Sequence, residues 1–278
     1  MPEHTFCIGL IAPKGAGKTT LIINLITNEH MYKGYFHKIH VFSPSINNDD
    51  KWETVRQTKH LVCENKRLAK LVEPTHARTK AATQFVIVRG GDKAGWQKEK
   101  EEQKGFNGMM DETCFHTRYT QDTLQQLIDE QNAMNLLVQK KLADGGQNKA
   151  KAKYYLDRQL WIFDDQVGST LFKMSNNENA FNKLATSSRH LSCSWIVVSQ
   201  AYKAIPAVVR TNVFQLVLFR VPNQKELEKV YEENPCDLPK DTWLQVYNEC
   251  TAEKYGFMFI NYNGKHRICK NFTTELCL

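Results

Sequence analysis

The chain has 278 residues, of which 41% are hydrophobic and 24% are charged, and this composition is typical of a globular protein. Its formal net charge of +7 favours an anionic partner but does not identify one. No apolar run approaches the ~18 residues needed to cross a bilayer, and the N-terminus lacks the features of a secretory signal, so we expect a protein that is neither secreted nor bound to a membrane.

Five short apolar runs, rich in β-branched and aromatic residues, predict buried parallel strands. In chain order they cover residues 6–12, 37–43, 159–164, 194–200 and 213–219. Two further runs, at 84–88 and 255–262, are predicted to extend the sheet at its edges. Helical patterns separate these runs, which predicts an α/β fold with a central parallel sheet and helices on both faces.

The predicted helices cover residues 19–27, 122–142 and 223–233, the last beginning with a capping-box spacing of Asn223 and Glu226. Two charged stretches interrupt the alternation, a glycine-rich one at 89–111 and a lysine-rich one at 140–153. We predict that both are exposed insertions. Since no repeat or linker divides the chain, we predict one domain over residues 1–278.

The stretch "APKGAGKTT", Ala12 to Thr20, follows the first predicted strand and opens the first predicted helix. It fits the Walker A phosphate-binding loop, in which backbone N–H groups surround the phosphates, a lysine reaches the β- and γ-phosphates and a hydroxyl binds magnesium. Gly15 and Gly17 supply the backbone freedom where the chain wraps closest. The predicted ATP-binding residues are Pro13, Lys14, Gly15, Ala16, Gly17, Lys18, Thr19 and Thr20, with Thr19 also a ligand of Mg²⁺.

Polar residues follow two other predicted strands. "QLWIFDD" ends in Asp164 and Asp165, which predicts a Mg²⁺ ligand and a base for the attacking water, respectively. "SWIVVSQ" ends in Gln200, whose amide could bind the γ-phosphate or its water. The order of these motifs along the chain predicts an extra strand between the Walker A strand and the strand that carries Asp164.

These motifs, and above all "SSRHLSCSWIVVSQAYKAIPAVVRTN", resemble the genome-packaging ATPases of large DNA viruses and polinton-like elements, including the poxvirus type. These enzymes belong to the FtsK–HerA superfamily. The resemblance covers roughly residues 6–262. It implies a RecA-like P-loop NTPase core, ATP and Mg²⁺ as ligands, and a homo-oligomeric ring that translocates double-stranded DNA into a capsid.

The resemblance also implies residue roles. Lys18, Asp165 and Gln200 would be catalytic, and an arginine would reach the ATP of a neighbouring subunit, with Arg210 as the first candidate and Arg189 as the second. The lysine-rich stretch at 140–153 would contact DNA phosphates. Capsid components are further expected partners, and the expected location is the cytoplasm or nucleus of a host cell, or the virion.

Two alternatives stay open from the sequence. A phosphate-loop nucleoside or nucleotide kinase would also have these motifs, but it would need an acceptor pocket and an arginine-bearing lid. An ATP-gated DNA-binding protein without translocation would need no working carboxylates, whereas this chain has both. Phosphate release measured against transfer to nucleosides separates these functions.

Overall fold

The computed structural model of the chain describes residues 4–72, 108–166, 169–172, 179–263 and 267–275. The predicted edge strand at 84–88 lies outside these residues, as does most of the predicted insertion at 89–111.

The described residues form one nine-stranded sheet in the order β3-β2-β4-β5-β1-β6-β7-β8-β9. The strands from β3 to β6 in this order are parallel, and β7, β8 and β9 continue the sheet in antiparallel pairs. The strands are β1 (Cys7–Ile11), β2 (Lys38–Phe42), β3 (Phe115–His116), β4 (Gln159–Phe163), β5 (Cys193–Ser199), β6 (Gln215–Phe219), β7 (Phe257–Asn261), β8 (Arg267–Lys270) and β9 (Thr274–Glu275).

The predicted α/β fold with a P-loop and a largely parallel central sheet is confirmed. All five strands predicted as parallel are present, and β5 lies between β1 and β4, as the motif order predicts. The register pairs Ile11 with Ser199 and Phe163 with Val197, so the three strands end at the same edge of the sheet. This edge therefore collects the residues that follow each strand.

Helices cover both faces of the sheet. They are α1 (Lys18–Thr27), α2 (Asp50–Gln57), α3 (Lys66–Val72), α4 (Gln121–Asp144), α5 (Ala180–Ser187), α6 (Ala207–Arg210), α7 (Gln224–Glu233) and α8 (Lys240–Cys250). Among the described residues, no helix combines the length and the apolarity required to pass through a bilayer.

Strand side chains alternate between two hydrophobic clusters, one on each face of the sheet. Ile8 and Leu10 pack with α1 and α2, while Cys7 and Ile11 pack with α4, α5, α7 and α8. Because β1 is buried on both faces, its sequence is a continuous apolar run rather than an alternating one.

Residues 140–153, predicted as an exposed insertion, form the end of α4, a turn and a 3₁₀ helix over Lys149–Tyr154. The lysines of the 3₁₀ helix are exposed, but Leu142 and Ala152 are buried against Val138 and Leu156. The stretch is thus a short helical hairpin with its own apolar contacts. Its many lysines led to the prediction of an exposed insertion.

The predicted capping box of α7 forms only in part. The Asn223 side chain accepts a hydrogen bond from Lys225 N–H at 3.0 Å and caps the helix. Glu226 instead accepts a hydrogen bond from Lys203 N–H at 3.3 Å, so its carboxylate connects α7 to the segment after β5.

The ends of the sheet differ from the sequence prediction. Residues 255–262 do extend the sheet as β7, but β8 and β9 lie outside it, and β3 forms the opposite edge. The four-residue β8 and the two-residue β9 and β3 are too short to show a periodic pattern in the sequence.

Candidate functional site

The loop between β1 and α1 has the conformation that its glycines predict. Gly15 and Gly17 have φ values of 79° and 91°, in the left-handed region that favours glycine. Ala12 N–H donates to Ser199 O at 3.0 Å, which continues the β1–β5 pairing to the start of the loop. Gly17 directly precedes α1, so the backbone N–H groups of the first helical turn face the space above the loop.

A pocket of 590 Å³ lies over this loop. Lys18 is among its lining residues, and its Nζ donates to Pro13 O at 3.3 Å, so the side chain folds back over the loop. Lys14 is exposed and does not line the pocket. The pocket is lined by Gly15, Ala16, Gly17, Lys18, Thr19, Thr20, Leu21, Asn24, Lys51, Phe219, Tyr255, Phe257 and Asn271.

Asp164 meets the start of α1 at the carboxyl end of β4. Thr19 Oγ1 donates to Asp164 Oδ2 at 3.2 Å, and Asp164 is only 1% exposed. Its other oxygen, Oδ1, is buried without a hydrogen-bond partner among the described residues. A hydroxyl and an unpaired carboxylate oxygen are hard ligands of the kind that Mg²⁺ prefers, so this pair fits a magnesium ion.

Burial raises the pKa of Asp164 from 3.8 to about 6, because a charged carboxylate loses its hydration there. The hydrogen bond from Thr19 acts in the opposite direction and lowers this pKa, while the charge of Asp165 raises it further. Without a cation, the ionised carboxylate of Asp164 therefore destabilises the fold at neutral pH.

This shift predicts how replacement of Asp164 changes stability. Since the pKa is higher in the folded chain, the carboxylate destabilises the fold fully above pH ~6 and not at all below the unfolded-state pKa of ~4. We expect metal-free Asp164→Asn to be more stable than the wild type by roughly 2–3 kcal/mol at pH 7.5, from a shift of about two pKa units.

Urea unfolding at pH 7.5 and pH 4 measures this difference, which should approach zero at the lower pH. Asp129→Asn, on the exposed face of α4, serves as the matched control and should change neither value. A wild type as stable as Asp164→Asn at pH 7.5 would contradict the assigned cost of burying this carboxylate.

Asp165 and Gln200 form a second contact beside the loop. Gln200 Nε2 donates to Asp165 Oδ1 at 3.3 Å, and both residues are exposed. Asp165 has φ 50°, a left-handed conformation that Asp adopts more readily than most residues and that turns the chain away from the line of β4. The structure thus places a buried carboxylate and an exposed one in sequence at the end of one strand.

Gln166 was not singled out by the sequence. It is 1% exposed, and its amide donates to Phe42 O at 3.1 Å and to Asp164 O at 3.0 Å. It therefore ties the ends of β2 and β4 together and fixes the backbone on either side of Asp165. Its position directly after the two aspartates was the available signal.

The two candidate arginines do not line the pocket over the loop. Arg210 makes a bidentate ion pair with Glu233, at 2.8 and 2.9 Å, and its side chain is 13% exposed. Arg189 is exposed, with its guanidinium 4.5 Å from the Phe214 ring centroid. Arg189 precedes β5 and so lies at the amino ends of the parallel strands, whereas the loop lies at their carboxyl ends. It therefore cannot reach the pocket of its own chain.

Comparison with known proteins adds a family and a fold. The profile of the family described as Poxvirus A32 protein matches residues 120–276, which is more than half of the 278-residue chain. No curated protein sequence matches the chain.

Two solved structures share the fold over nearly the whole chain. The DNA-packaging ATPase B204 of Sulfolobus turreted icosahedral virus is 11% identical, with a TM-score of 0.52, covering 96% of this chain and 98% of that one. The genome-packaging NTPase B204 of Sulfolobus turreted icosahedral virus 2, in complex with ATP-γS, is 12% identical, with a TM-score of 0.50 and coverages of 95% and 96%.

Proposed function

The chain belongs to the Poxvirus A32 protein family, and from this premise we propose that it is an ATPase that packages a viral genome by translocating double-stranded DNA. One observation carries the proposal. Two hydrogen bonds lie beside a phosphate-binding loop: Thr19 donates to the buried Asp164 at 3.2 Å, and Gln200 donates to Asp165 at 3.3 Å. The likeness to B204, which was solved with ATP-γS, supports ATP as the nucleotide.

Residues of this chain have distinct tasks in hydrolysis. Thr19 and Asp164 would hold Mg²⁺, which neutralises charge on the phosphate oxygens. The N–H groups of the loop bind the phosphates, and Lys18 moves from Pro13 O to the β- and γ-phosphates. Asp165 accepts a proton from the attacking water. The oxygen of this water bonds to the γ-phosphorus as the bond from the γ-phosphorus to ADP breaks. Gln200 holds the Asp165 carboxylate in position.

A ring of identical subunits would supply an arginine to each ATP. The contacts support Arg189 ahead of Arg210, because Arg210 would first have to leave its ion pair with Glu233. Arg189 is exposed, and a guanidinium delivered from a neighbour stabilises the charge that builds on the γ-phosphate. Assembly into the ring would then be a requirement for fast hydrolysis.

The exposed lysines of the 3₁₀ helix are our candidates for DNA contact. We expect the triple change of Lys149, Lys151 and Lys153 to Ala to reduce DNA-stimulated ATPase activity and leave basal activity unchanged. Since each phosphate contact contributes ~0.9 to the salt dependence, the slope of log K for DNA against log salt should become shallower by roughly 2–3. Filter binding at several salt concentrations measures the slope.

The matched control changes three exposed lysines elsewhere, Lys59, Lys183 and Lys225, to Ala. It keeps the same net charge as the triple variant, so it separates a local contact from a general loss of positive charge. Equal effects of the two triple variants would exclude the 3₁₀ helix as the specific DNA contact.

We propose capsid components as further partners. The protein would act in the part of the host cell where virus particles assemble. Displacement of a third strand from a triplex on linear duplex DNA tests translocation directly. We expect ATP-dependent displacement by the assembled wild type. Transfer of the γ-phosphate to nucleosides would instead indicate a kinase, and nucleotide-dependent DNA binding without hydrolysis would indicate a gated binding protein.

A further inference from the structure

Tyr255 lies between α8 and β7 and has no task in the proposed phosphate chemistry. It is a large aromatic residue with 57% exposure, yet it lines the pocket over the phosphate-binding loop. Its φ is 68°, in the left-handed region where bulky residues are rare. Such outliers occur preferentially at ligand-binding positions, where the surrounding structure holds them in place.

The turn that carries Tyr255 is held by its neighbours. Gly256 N–H donates to Glu253 O at 3.0 Å, and a Cβ at Gly256 would lie 2.6 Å from Cys250 O, so only glycine fits there. Lys270 Nζ bonds the Glu253 carboxylate at 2.9 Å and connects the turn to β8. Tyr255 is therefore presented on a fixed turn rather than on a loose loop.

The Tyr255 ring stands next to the phosphate-binding loop. A Cβ built on Gly17 would lie 3.2 Å from Tyr255 Cδ1, so the ring packs against the last residue of the loop before α1. On the same side, Phe219, Phe257 and Asn271 line the pocket. A nucleotide whose phosphates occupy the loop has its base one ribose away from the α-phosphate, and Tyr255 lines the same pocket as the loop residues.

We propose that Tyr255 is the stacking platform for the base of the bound nucleoside triphosphate, an assignment that rests on the proposed function and adds its base-binding site. Stacking uses the π-face that every nucleobase presents, with purines offering the larger face. Lys254 Nζ lies 5.1 Å from the ring centroid and stabilises the ring by a cation–π contact. The platform thus contributes affinity for the base, while the loop contributes affinity for the phosphates.

Titration calorimetry with two ligands tests this division in the full chain with Mg²⁺. ATP has a base and inorganic tripolyphosphate does not. We expect Tyr255→Leu to weaken ATP binding by about 5- to 150-fold, the range measured for loss of one base–aromatic stack, and to leave tripolyphosphate affinity unchanged. Tyr255→Phe, which keeps the ring, should bind ATP like the wild type.

Tyr154→Leu is the matched control, since Tyr154 is also an exposed tyrosine, at 46%, on the 3₁₀ helix, and it should change neither affinity. Unchanged ATP affinity in Tyr255→Leu overturns the proposal. Equal weakening of both ligands also overturns it, because Tyr255 would then only support the loop. If the wild type binds neither ATP nor tripolyphosphate, the proposed function is wrong as well. If the wild type binds both and only the predicted effect of Tyr255→Leu is missing, the proposed function stands and the stacking role is wrong.

Discussion

Lys18→Ala is expected to lower the rate of ATP hydrolysis by about 10²–10³-fold and to weaken ATP binding. Removal of one preorganised group that stabilises developing charge typically has an effect of this size on turnover. Lys18 lies on the first turn of α1 and lines the pocket, and its Nζ is at present held only 3.3 Å from Pro13 O within the loop itself. Its loss removes a cation from the phosphate site without opening the core.

Phosphate release and ATP titration measure the two effects of Lys18→Ala. The control Lys225→Ala, an exposed lysine on α7, should match the wild type in both. Thermal unfolding should show that Lys18→Ala remains folded. If a folded Lys18→Ala protein hydrolysed ATP at the wild-type rate, the phosphate-binding loop would not be the site of hydrolysis.

Asp165→Asn is expected to reduce turnover by about 10²–10⁴-fold, the usual contribution of a positioned general base, with ATP affinity nearly unchanged. Asn is the appropriate replacement because it keeps the shape of the side chain and tolerates the left-handed backbone at φ 50°. An alanine there would add backbone strain and confuse a catalytic effect with a structural one. The amide can still contact Gln200, but it cannot take a proton from water.

Single-turnover phosphate release, measured with saturating enzyme, isolates the chemical step for Asp165→Asn. Asp237→Asn makes the same change at another aspartate with a left-handed backbone, at φ 60°, and should leave the rate as it is. If Asp165→Asn hydrolyses ATP at the wild-type rate, the base is a different group and Asp165 has a structural role.

The parallel part of the fold could be predicted because its strands are buried on both faces. Continuous apolar runs such as Cys7–Ile11 and Gln159–Phe163 are conspicuous in the sequence, and the motif after each one fixes which edge of the sheet carries the site. Motif order predicted an extra strand between the Walker A strand and the strand that carries Asp164, a place that β5 takes, and the "SSRHLSCSWIVVSQ" region predicted the family. Both predictions are confirmed.

What the sequence did not predict depends on contacts between distant residues. The aromatic wall with Tyr255 exists because the turn after α8 meets the loop before α1, and no local pattern marks that approach. The Arg210–Glu233 ion pair likewise joins α6 to α7, which spacing alone could not foresee. The two-residue strands β3 and β9 are defined by their partners rather than by their own residues. The roles of the individual site residues stay predictions.

The rate of phosphate release from ATP, measured for the wild type with Mg²⁺ and linear double-stranded DNA, is the decisive test of ATP hydrolysis at this site. We predict hydrolysis that requires Mg²⁺, increases when the DNA is added, and is lost in Lys18→Ala. A folded, assembled wild type that binds the DNA and releases no phosphate in the presence of Mg²⁺ would show that the chain is not a DNA-stimulated ATPase.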